Sequence, residues 1–359
     1  MNESEFIFKK KIQCDLVSEW TSPSNIALIK YWGKQDLQIP KNPSISLTLS
    51  NCRTQTRLAL SPKKKYKKKI SFDLFFDGNL KPEFNKKVEQ FFLRISKYVP
   101  FVFDNHFEIE TKNFFPHSSG IASSASAFSS MALTIVSLER KFNDDMNEEQ
   151  FYKKSSFLSR LGSGSASRSI FGKIALWGES EFFSKSSNLY SIPIVEKINP
   201  IFNDLNNTVL IVDDQVKEKS SSYGHDLMNS NPFSFQRYEQ AKNNIGRIKK
   251  VFKNGDLDEF IQIVESEALT LHGLMMSSNP YYLLLKPNTV EIIRRVWDYR
   301  REYKYPVCFS LDAGSNIHLL YPSRYKKVIK EFITNELLNF CKDKKYIDDY
   351  MGSGPEKIK

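Results

Sequence analysis

The sequence contains two short segments, rich in serine, glycine and alanine, whose composition suits the binding of phosphate groups. The first, residues 116–125 (PHSSGIASSA), precedes a run of small residues that is predicted to continue as a helix to about Leu138. Small side chains let main-chain amides approach a ligand, and a helix N-terminus offers unpaired N–H groups with partial positive charge. The segment is not a Walker loop, because no Gly-Lys-Ser/Thr follows. A serine-rich loop that merely caps a packed helix fits these residues equally well.

The second segment, residues 162–168 (GSGSASR), places two glycines two positions apart and ends at Arg168. Serine hydroxyls and main-chain amides can bind phosphate oxygens, and a guanidinium adds a charge-assisted contact that is often bidentate. The alternative is a flexible linker. We favour an anion site, because linkers rarely continue directly into an arginine and an apolar run.

Two further segments carry charged residues in positions that suggest chemistry. Residues 25–34 (NIALIKYWGK) contain Lys30 and Lys34, which a helix would place on one face. Residues 309–316 (FSLDAGSN) place Asp312 at the end of an apolar strand and before a tight turn, where an acid can serve as a general base. Taken one at a time, the simpler interpretations are two solvated lysines and an aspartate that holds turn amides.

The charge of the whole chain asks for an anionic partner. Its 359 residues carry 52 Lys and Arg against 41 Asp and Glu, a formal net charge of +11. Nucleic acid, a membrane surface or a phosphorylated small molecule would each satisfy that charge. The lysine-rich run at residues 63–69 is interpreted as a solvated hairpin tip or as a contact to a nucleotide phosphate. It lacks the interleaved aromatic residues of a nucleic-acid stacking surface.

Several classes of protein are excluded by simple patterns. The first residues are acidic where a signal peptide is basic, and the longest uncharged stretch, residues 113–138, contains proline, glycine and many serines. The four cysteines are far apart with no CxxC pair, and the five histidines are scattered. We therefore expect a cytoplasmic protein with reduced thiols, no membrane span and no zinc site.

The elements that must position these segments mix strands and helices without strict alternation. Strands are expected at residues 44–49, 54–61, 70–76, 208–212, 307–311 and 317–321, and helices at 82–101, 235–252, from 256, from 288 and from 323 onward. Such a pattern indicates an α+β fold in both halves. We expect one domain over residues 1–196, a second over 197–345, and a mobile tail over 346–359, which contains Gly-Ser-Gly-Pro.

Taken together and in this order, the four segments resemble the decarboxylase branch of the GHMP kinase superfamily. Residues 25–34 resemble its Asn-Ile-Ala-x-x-Lys-Tyr-Trp-Gly-Lys signature, and residues 116–125 its nucleotide phosphate loop. Residues 162–168 resemble its Gly-Ser-Gly-Ser-Ala-x-Arg segment, and residues 312–316 its Asp-Ala-Gly-x-Asn turn. Weaker similarity occurs at residues 217–224 and 267–272, so the resemblance spans most of the chain.

The resemblance implies both an architecture and a reaction. The expected fold has an N-terminal domain of mixed β-sheet and helices and a C-terminal ferredoxin-like α/β-sandwich, with the active site in the cleft between them. The expected reaction is the ATP-dependent decarboxylation of mevalonate 5-diphosphate to isopentenyl diphosphate, with ATP and magnesium. A homodimer that binds neither nucleic acid nor membrane is also implied. The alternatives are a mevalonate 5-phosphate decarboxylase, a mevalonate 3-kinase or, more distantly, a basic RNA-binding protein.

The resemblance also implies roles for individual residues. Asp312 would deprotonate the tertiary hydroxyl of the substrate, Lys30 would lie beside it and keep it ionised, and Arg168 would hold the substrate carboxylate. The substrate set is Ala27, Tyr31, Lys34, Ser163, Ser165 and Arg168. The ATP set is Pro116, Ser119, Gly120, Ala122, Ser123 and Ser124, with Ser124 also contacting magnesium and counted with the catalytic residues.

The sequence departs from the pattern of the family at four places. Ser167 stands where cysteine is usual, and Ser315 stands where proline is common. Lys173 follows Gly172 where a second glycine is common. Residues 117–119 (His-Ser-Ser) are more polar than the usual Thr-Ala-Ala, which puts the geometry of the nucleotide loop in question. None of these changes removes a proposed catalytic group.

Overall fold

The computed structural model describes residues 3–64, 69–116, 121–215 and 221–359, which form two β-sheets and their covering helices. The strands are β1 (Leu16–Ile29), β2 (Ser44–Pro62), β3 (Ser71–Phe76), β4 (Asn79–Leu80), β5 (Asn105–Asn113), β6 (Ile174–Trp177), β7 (Ser191–Pro193), β8 (Leu205–Leu210), β9 (Cys308–Ser310), β10 (Ile317–Pro322), β11 (Tyr346–Tyr350) and β12 (Glu356–Lys357). The helices are α1 (Pro82–Ile95), α2 (Ser123–Arg140), α3 (Glu148–Gly162), α4 (Ser221–Leu227), α5 (Ser234–Asn254), α6 (Leu257–Met276), α7 (Pro287–Tyr303) and α8 (Lys326–Phe332), which continues as a π-helical turn (Ile333–Leu337). Short 3-10 segments lie at Glu3–Phe6, Asp36–Gln38, Pro100–Phe103, Gly164–Ile170, Pro200–Phe202, Ser323–Tyr325, Leu338–Phe340 and Lys342–Lys344. No helix in the described residues is long and apolar enough to cross a membrane.

The first sheet is built around β2. Its order is β12-β1-β2-β5-β3-β4, and β6 and β7 extend it beside the N-terminal part of β2. β3 pairs with β5 and not with β2. The interpretation of residues 63–69 as a hairpin tip is therefore wrong, because a strand from later in the chain separates β2 from β3. Residues 65–68 of that run lie outside the described residues.

The burial pattern of β2 differs between its two parts, because different elements cover them. From Cys52 to Ser61 its side chains alternate between buried and half-buried, as expected for a strand with one face on a core and one face toward solvent. From Ser44 to Leu49 all of its side chains are buried, because Ile45, Leu47 and Leu49 belong to a cluster that also contains apolar side chains of α5 and α6. The first sheet therefore packs against the C-terminal half of the chain at this end.

The small residues of α2 let this helix lie close against the first sheet. Three pairs of hydroxyl groups join helix and strands, each 2.6–2.7 Å apart: Ser126 with Thr54, Ser129 with Ser22, and Ser130 with Thr56. These serines are fully buried, so their hydroxyls need partners inside the protein. The contacts explain the serine-rich composition of the helix and hold its N-terminus in place beside β1.

The second sheet has the order β11-β8-β10-β9, with all neighbours antiparallel. Numbered along the chain, its four strands take the order 4-1-3-2, with helices α4–α7 between the first and second strands and α8 between the third and fourth. This is the ferredoxin-like arrangement. The two sheets and their helices give the two-domain α+β fold that was expected.

Residues 346–359 are ordered in the structure, so the expectation of a mobile tail is wrong. β11 completes the second sheet by pairing with β8, and β12 pairs with β1 at the edge of the first sheet. Between them, the Gly352 N–H donates to the Thr48 carbonyl oxygen at 2.8 Å. A side chain at Gly352 would collide with the main chain of Leu49. The glycines that suggested mobility instead allow a close main-chain crossing.

Candidate active site

Lys30, Ser310 and Asp312 form a hydrogen-bonded cluster where the ends of β1 and β9 meet. The Lys30 ammonium lies 3.0 Å from the Asp312 carboxylate and donates to the Ser310 hydroxyl oxygen at 2.9 Å. Ser310 in turn donates to the Ala27 carbonyl oxygen at 3.1 Å. The Lys30 side chain is buried, whereas the Asp312 side chain is 27% exposed. A ligand can therefore reach the carboxylate while the cation beside it stays fixed.

The turn that carries Asp312 is held from two sides. The Gly314 N–H donates to the Asp312 carbonyl oxygen at 2.7 Å, and His272 Nε2 of α6 donates to the same oxygen at 3.1 Å. Asn316 Oδ1 accepts hydrogen bonds from the N–H groups of Val212 and Asp213. The turn is thus tied to α6 and to the segment after β8, which fixes the direction of the carboxylate.

The main chain of Lys30 is clamped by a buried ion pair from the C-terminal half of the chain. The Lys30 N–H donates to Glu267 Oε2 at 2.9 Å, and the Lys30 carbonyl oxygen accepts from Arg237 at 2.8 Å and from Asn42 at 2.9 Å. Arg237 and Glu267 are 2.6 Å apart, and both side chains are 0% exposed. A buried pair of this kind is a weak source of stability but fixes geometry, since neither charge tolerates the loss of the other. Here it sets the position of Lys30.

The charges around Lys30 shift the pKa of its ammonium in opposite directions. Burial lowers the pKa of Lys30, the neighbouring Asp312 carboxylate opposes that shift, and the Arg168 guanidinium reinforces it. Arg168 is itself buried, and burial lowers its pKa to about 10, an effect that Asp312 partly offsets. Lys30, Asp312 and Arg168 therefore form one electrostatically coupled group.

Arg168 is oriented by neutral partners. It donates to the Ser44 hydroxyl at 2.6 Å and to Asn25 Oδ1 at 3.4 Å. The Asn25 amide nitrogen donates to the Ser169 hydroxyl at 2.7 Å. Nε of Arg168 has no hydrogen-bond partner among the described residues. This guanidinium retains its charge and one donor for an anion, as a carboxylate-binding arginine must.

The residues expected to bind the substrate lie on three segments. Ser163 and Ser165 open the 3-10 segment Gly164–Ile170, and their hydroxyls are 3.4 Å apart. The Tyr31 ring is so close to Gly164 that a side chain at this glycine would overlap it. Lys34 is half-buried, and burial lowers its pKa. Ala27 contributes its carbonyl oxygen, which is already bonded to Ser310.

Ser124 joins the two serine-rich segments that the sequence singled out. Its hydroxyl lies 3.3 Å from that of Ser163, although the two residues are 39 positions apart. Ser123 and Ser124 form the first turn of α2, and Ala122 before them has the left-handed backbone (φ 45°) that turns the chain into the helix. Free N–H groups at this helix end suit a phosphate group.

The nucleotide segment is described only in part. Pro116 is exposed at its start, whereas Ser119 and Gly120, with His117 and Ser118, lie outside the described residues. Within the described part of the chain, no three His, Cys, Asp or Glu residues could hold a metal ion together. Magnesium at this site would be held largely by phosphate oxygens and water, and the Ser124 hydroxyl is the ligand that this chain would supply.

Four residues of the site were not identified from the sequence. Ser310 was part of an apolar strand, and Arg237 and Asn42 had no motif around them. His225 lies between the rings of Tyr31 and Trp32, and its Nδ1 accepts a hydrogen bond from the Gly33 N–H at 3.0 Å. Burial lowers the pKa of His225 to about 3, and Lys34 adds to the effect. The only available signal was the weak similarity at residues 217–224, which ends one position before it.

Two family models together match most of the chain. Residues 22–188 match the family model of the diphosphomevalonate decarboxylase-like N-terminal domain, and residues 207–357 match that of the mevalonate 5-diphosphate decarboxylase C-terminal domain. The diphosphomevalonate decarboxylase of Candida albicans is 27% identical over 315 residues, which cover 84% of this chain and 83% of that protein.

Solved structures share the fold over nearly the whole chain. The crystal structure of mevalonate diphosphate decarboxylase from Staphylococcus aureus is 26% identical, with a TM-score of 0.81 over 96% of this chain and 98% of that one. A structure described as MDDEF in complex with MVAPP, AMPPCP and magnesium is 25% identical, with the same TM-score over 96% of this chain and 100% of that one. From the two family models, these relatives and the site geometry together, the chain belongs to the diphosphomevalonate decarboxylase family.

Proposed function

We propose that this chain catalyses the ATP-dependent decarboxylation of mevalonate 5-diphosphate, with isopentenyl diphosphate, ADP, phosphate and carbon dioxide as products. The single observation that carries the proposal is the Lys30–Asp312 pair, in which an accessible carboxylate lies 3.0 Å from a buried ammonium. The relatives named diphosphomevalonate decarboxylase and the structure with MVAPP, AMPPCP and magnesium support the same reaction.

The distribution of charge around the site suits this substrate. Mevalonate 5-diphosphate carries a carboxylate, a tertiary hydroxyl and a diphosphate, and ATP brings three more phosphate groups. The site offers Arg168 for the carboxylate and Tyr31, Lys34, Ser163 and Ser165 for the diphosphate. The start of α2 with Ser123 and Ser124 serves ATP. Preorganised donors and cations of this kind stabilise charge that develops during phosphoryl transfer.

In the first step, Asp312 accepts the proton of the tertiary hydroxyl as this oxygen attacks the γ-phosphate of ATP. Lys30 orients the carboxylate and offsets the negative charge on the phosphoryl oxygens. The hydroxyl oxygen then leaves with the transferred phosphate, and the electron pair of the bond to the carboxylate forms the new double bond as carbon dioxide departs. Arg168 keeps that carboxylate aligned. The bound ATP and magnesium supply the phosphoryl group and charge neutralisation.

The direct test compares three substrates. Purified protein is incubated with ATP, magnesium and either mevalonate, mevalonate 5-phosphate or mevalonate 5-diphosphate, and ADP and carbon dioxide are measured in parallel. We expect equal amounts of both products, formed most efficiently from the diphosphate. Formation of ADP without carbon dioxide would indicate a 3-kinase, and preference for the monophosphate would indicate the related decarboxylase.

Replacement of Asp312 by asparagine tests the assignment of the base. Removal of the proton acceptor should lower kcat by a factor of about 10² to 10⁴, while titration calorimetry should show nearly unchanged binding of an ATP analogue and of mevalonate 5-diphosphate. Asp298→Asn is the matched control, because this exposed aspartate on α7 pairs only with Arg301 among the partners that the structure describes. Turnover of Asp312→Asn at the wild-type rate would refute the assignment.

We further propose that the protein is a cytoplasmic homodimer and that its domains divide at residues 196 and 197. The division falls between the end of β7 at Pro193 and the start of β8 at Leu205. The cysteines are free thiols, and Cys52, Cys308 and Cys341 are buried, which suits a reducing compartment. Sedimentation velocity would test the dimer, localisation of a fluorescent fusion would test the compartment, and a filter-binding assay with RNA should show no tight binding.

A further inference from the structure

Five cations are buried among the described residues: Lys30, Lys154, Arg160, Arg168 and Arg237. Three of them have a carboxylate within ion-pair distance: Lys30 has Asp312, Lys154 has Glu139, and Arg237 has Glu267. Arg160 and Arg168 have none at that distance in the described part of the chain, and the carboxylates of Glu3 and Asp312, respectively, act on them only from farther away. A buried charge without an adjacent carboxylate is costly, so each of these two arginines is a candidate to interact with an anionic ligand. Arg168 is already assigned to the substrate carboxylate, whereas Arg160 has no role.

Arg160 lies in the last turn of α3 and holds two segments by their main-chain carbonyl groups. Its side chain is 0% exposed. Nε donates to the Leu189 carbonyl oxygen at 2.8 Å, and Nη1 donates to the carbonyl oxygen of Leu37. Nη2 has no hydrogen-bond partner among the described residues. The guanidinium lies 5.2 Å from the centre of the Phe157 ring, a cation–π contact that adds no negative charge.

The bond to Leu37 fixes the loop that carries Lys34. This segment, residues 33–41, is closed at its base by a hydrogen bond from the Lys41 N–H to the Gly33 carbonyl oxygen at 3.2 Å. At its tip, Leu37 and Gln38 have left-handed backbones with φ of 53° and 63°, which other contacts must hold in place. Arg160 supplies such a contact at the tip.

Arg160 also acts electrostatically on the residues expected to hold the diphosphate. Burial raises the pKa of Tyr31, and both Arg168 and Arg160 oppose the shift, so their charges reach the phenol group. The Tyr31 hydroxyl donates to Gln38 Oε1 of the 33–41 loop at 3.4 Å. Ser163 follows Arg160 by three positions. The Arg160 charge, the 33–41 loop and Ser163 therefore lie around the same region, the one expected to hold the diphosphate.

We propose that Arg160 is a positioning residue that determines specificity: it fixes the 33–41 loop and supplies a buried charge, with no carboxylate at ion-pair distance in the described residues, that makes the site prefer a diphosphate to a monophosphate. This inference rests on the proposed function. A diphosphate carries more negative charge than a monophosphate and gains more from a cation in a medium of low dielectric constant. Arg160 does not need to touch the ligand for this effect. Its charge reaches the Tyr31 phenol, and its hydrogen bond to Leu37 fixes the loop that carries Lys34.

The test uses two variants and a matched control. Arg160→Met removes the charge and the contact to the loop, and Arg160→Lys keeps the charge but loses the forked geometry. The control is the double variant Glu139→Gln/Lys154→Met, which neutralises the other buried cation of α3 together with its own carboxylate. It removes a buried cation from the same helix without a change in net charge, and so controls for disruption of the buried end of α3.

Two measurements separate the proposal from a loss of stability. For Arg160→Met we expect the ratio of kcat/KM for mevalonate 5-diphosphate to that for mevalonate 5-phosphate to fall about tenfold or more, because a buried positive charge near the diphosphate is lost. In Arg160→Lys the ratio should fall less, while trypsin should cleave faster after Lys34 and Lys41. The control should keep the wild-type ratio and the wild-type cleavage at these two sites.

Binding of pyrophosphate and of inorganic phosphate, followed by titration calorimetry, gives a readout without turnover. Wild-type protein should bind pyrophosphate more tightly than phosphate, and Arg160→Met should lose most of that difference. If the wild type turns over mevalonate 5-diphosphate and Arg160→Met keeps its ratio within twofold, the inference fails and the proposed function stands. If the wild type is inactive but Arg160→Met loses the preference for pyrophosphate, the proposed function fails and the anion preference stands. Should Arg160→Met not fold, wild-type selectivity and loop cleavage in Arg160→Lys would overturn the inference.

Discussion

The Ser310 hydroxyl links the Lys30 ammonium to β1, the strand that carries this lysine. It accepts a hydrogen bond from the Lys30 ammonium at 2.9 Å and donates one to the Ala27 carbonyl oxygen at 3.1 Å. Asp312 provides the other polar contact of this ammonium within the described residues. The position of the Lys30 ammonium therefore depends on one neutral group, the Ser310 hydroxyl, beside the Asp312 carboxylate.

Ser310→Ala should therefore impair catalysis as well as stability. Loss of one hydrogen bond to a charged group amounts to about 1.5–3 kcal/mol, and we expect kcat to fall about tenfold with little change in the KM for ATP. Ser323→Ala is the matched control, because Ser323 also accepts from a side-chain nitrogen, that of Asn206, and donates to a main-chain oxygen, that of Asp204. Steady-state kinetics with thermal melts of both variants check the prediction. Equal kcat values for the two variants would contradict it.

At the scale of elements, the turn between the 3-10 segment Gly164–Ile170 and β6 shows how the fold accommodates Lys173 where the family commonly has glycine. Lys173 has a left-handed backbone with φ of 58°, although it has a side chain. Its N–H donates to the Gly352 carbonyl oxygen at 2.8 Å, and its carbonyl oxygen accepts from Thr48 at 2.8 Å. These two bonds hold the residue in a conformation that glycine would adopt without strain.

Lys173→Gly should therefore stabilise the protein by about 1 kcal/mol, because relief of the left-handed strain exceeds the entropy that glycine adds to the unfolded chain. Gly172→Ala should act in the opposite direction, because a side chain there would collide with the main chain of Ser353. We expect that change to cost about 1–3 kcal/mol. Gly273→Ala in α6 serves as the control, since nothing lies within 4 Å of its added carbon. Urea unfolding curves would give all three values, and destabilisation by Lys173→Gly would refute the account.

Local composition was sufficient to predict two segments suited to phosphate groups, because the properties that make them suitable are local. Small residues and a helix start are visible in the sequence around Ser124 and Ser163. The contact between Lys30 and Asp312 joins residues 282 positions apart, and no local pattern indicates it. The resemblance to a family placed these two residues together, whereas their supporting partners Ser310 and Arg237 had neither signal.

The errors in the fold have the same physical origin. Strand order depends on pairing between distant segments. The lysine-rich run that joins β2 to β3 therefore gave no sign that β5 lies between these two strands in the sheet. The last residues looked mobile because glycine, serine and proline dominate their composition. Their order depends on main-chain partners near Thr48 and Glu19, roughly three hundred residues earlier in the chain.

At the scale of the whole molecule, one carboxylate joins the two sheets. Residues 49–52 of β2 lie between the parts of this strand that pair within the first sheet. Asp349 of β11 accepts hydrogen bonds from the N–H groups of Ser50, Asn51 and Cys52, each at 2.8 Å. Asp349 is 3% exposed. The second sheet thus satisfies main-chain donors of the first, which would otherwise be costly to bury.

Asp349→Ala should weaken the contact between the two sheets. Removal of three charge-assisted hydrogen bonds should lower the free energy of unfolding by about 3–5 kcal/mol. Asp349→Asn keeps one acceptor oxygen and should lose about half as much. Guanidinium unfolding, followed by tryptophan fluorescence, would measure both, and a loss below about 1 kcal/mol for Asp349→Ala would show that the contact does not join the halves.

Two buried histidines make the stability of the whole molecule sensitive to acid. Burial lowers the pKa of His318 to about 4 and that of His225 to about 3. The ordinary value is about 6.5, and it applies to the unfolded chain. His318 Nδ1 lies 3.1 Å from Asn207 Nδ2, and the nearby charges of Asp312 and Lys30 act on its ring in opposite directions. Both rings are therefore neutral in the folded protein at neutral pH.

Because the folded-state pKa of His318 lies below the unfolded-state value, the unfolded chain binds a proton first as the pH falls. The free energy of unfolding should therefore decrease from about pH 6.5 toward pH 4, with His318 contributing at most about 3 kcal/mol of the loss. In His318→Asn this contribution is absent, so urea unfolding at pH 7 and pH 4.5 should show a smaller difference than in the wild type, whatever the stability of the variant at pH 7. If His318→Asn and the wild type lose stability equally between these two pH values, His318 is not buried in its neutral form.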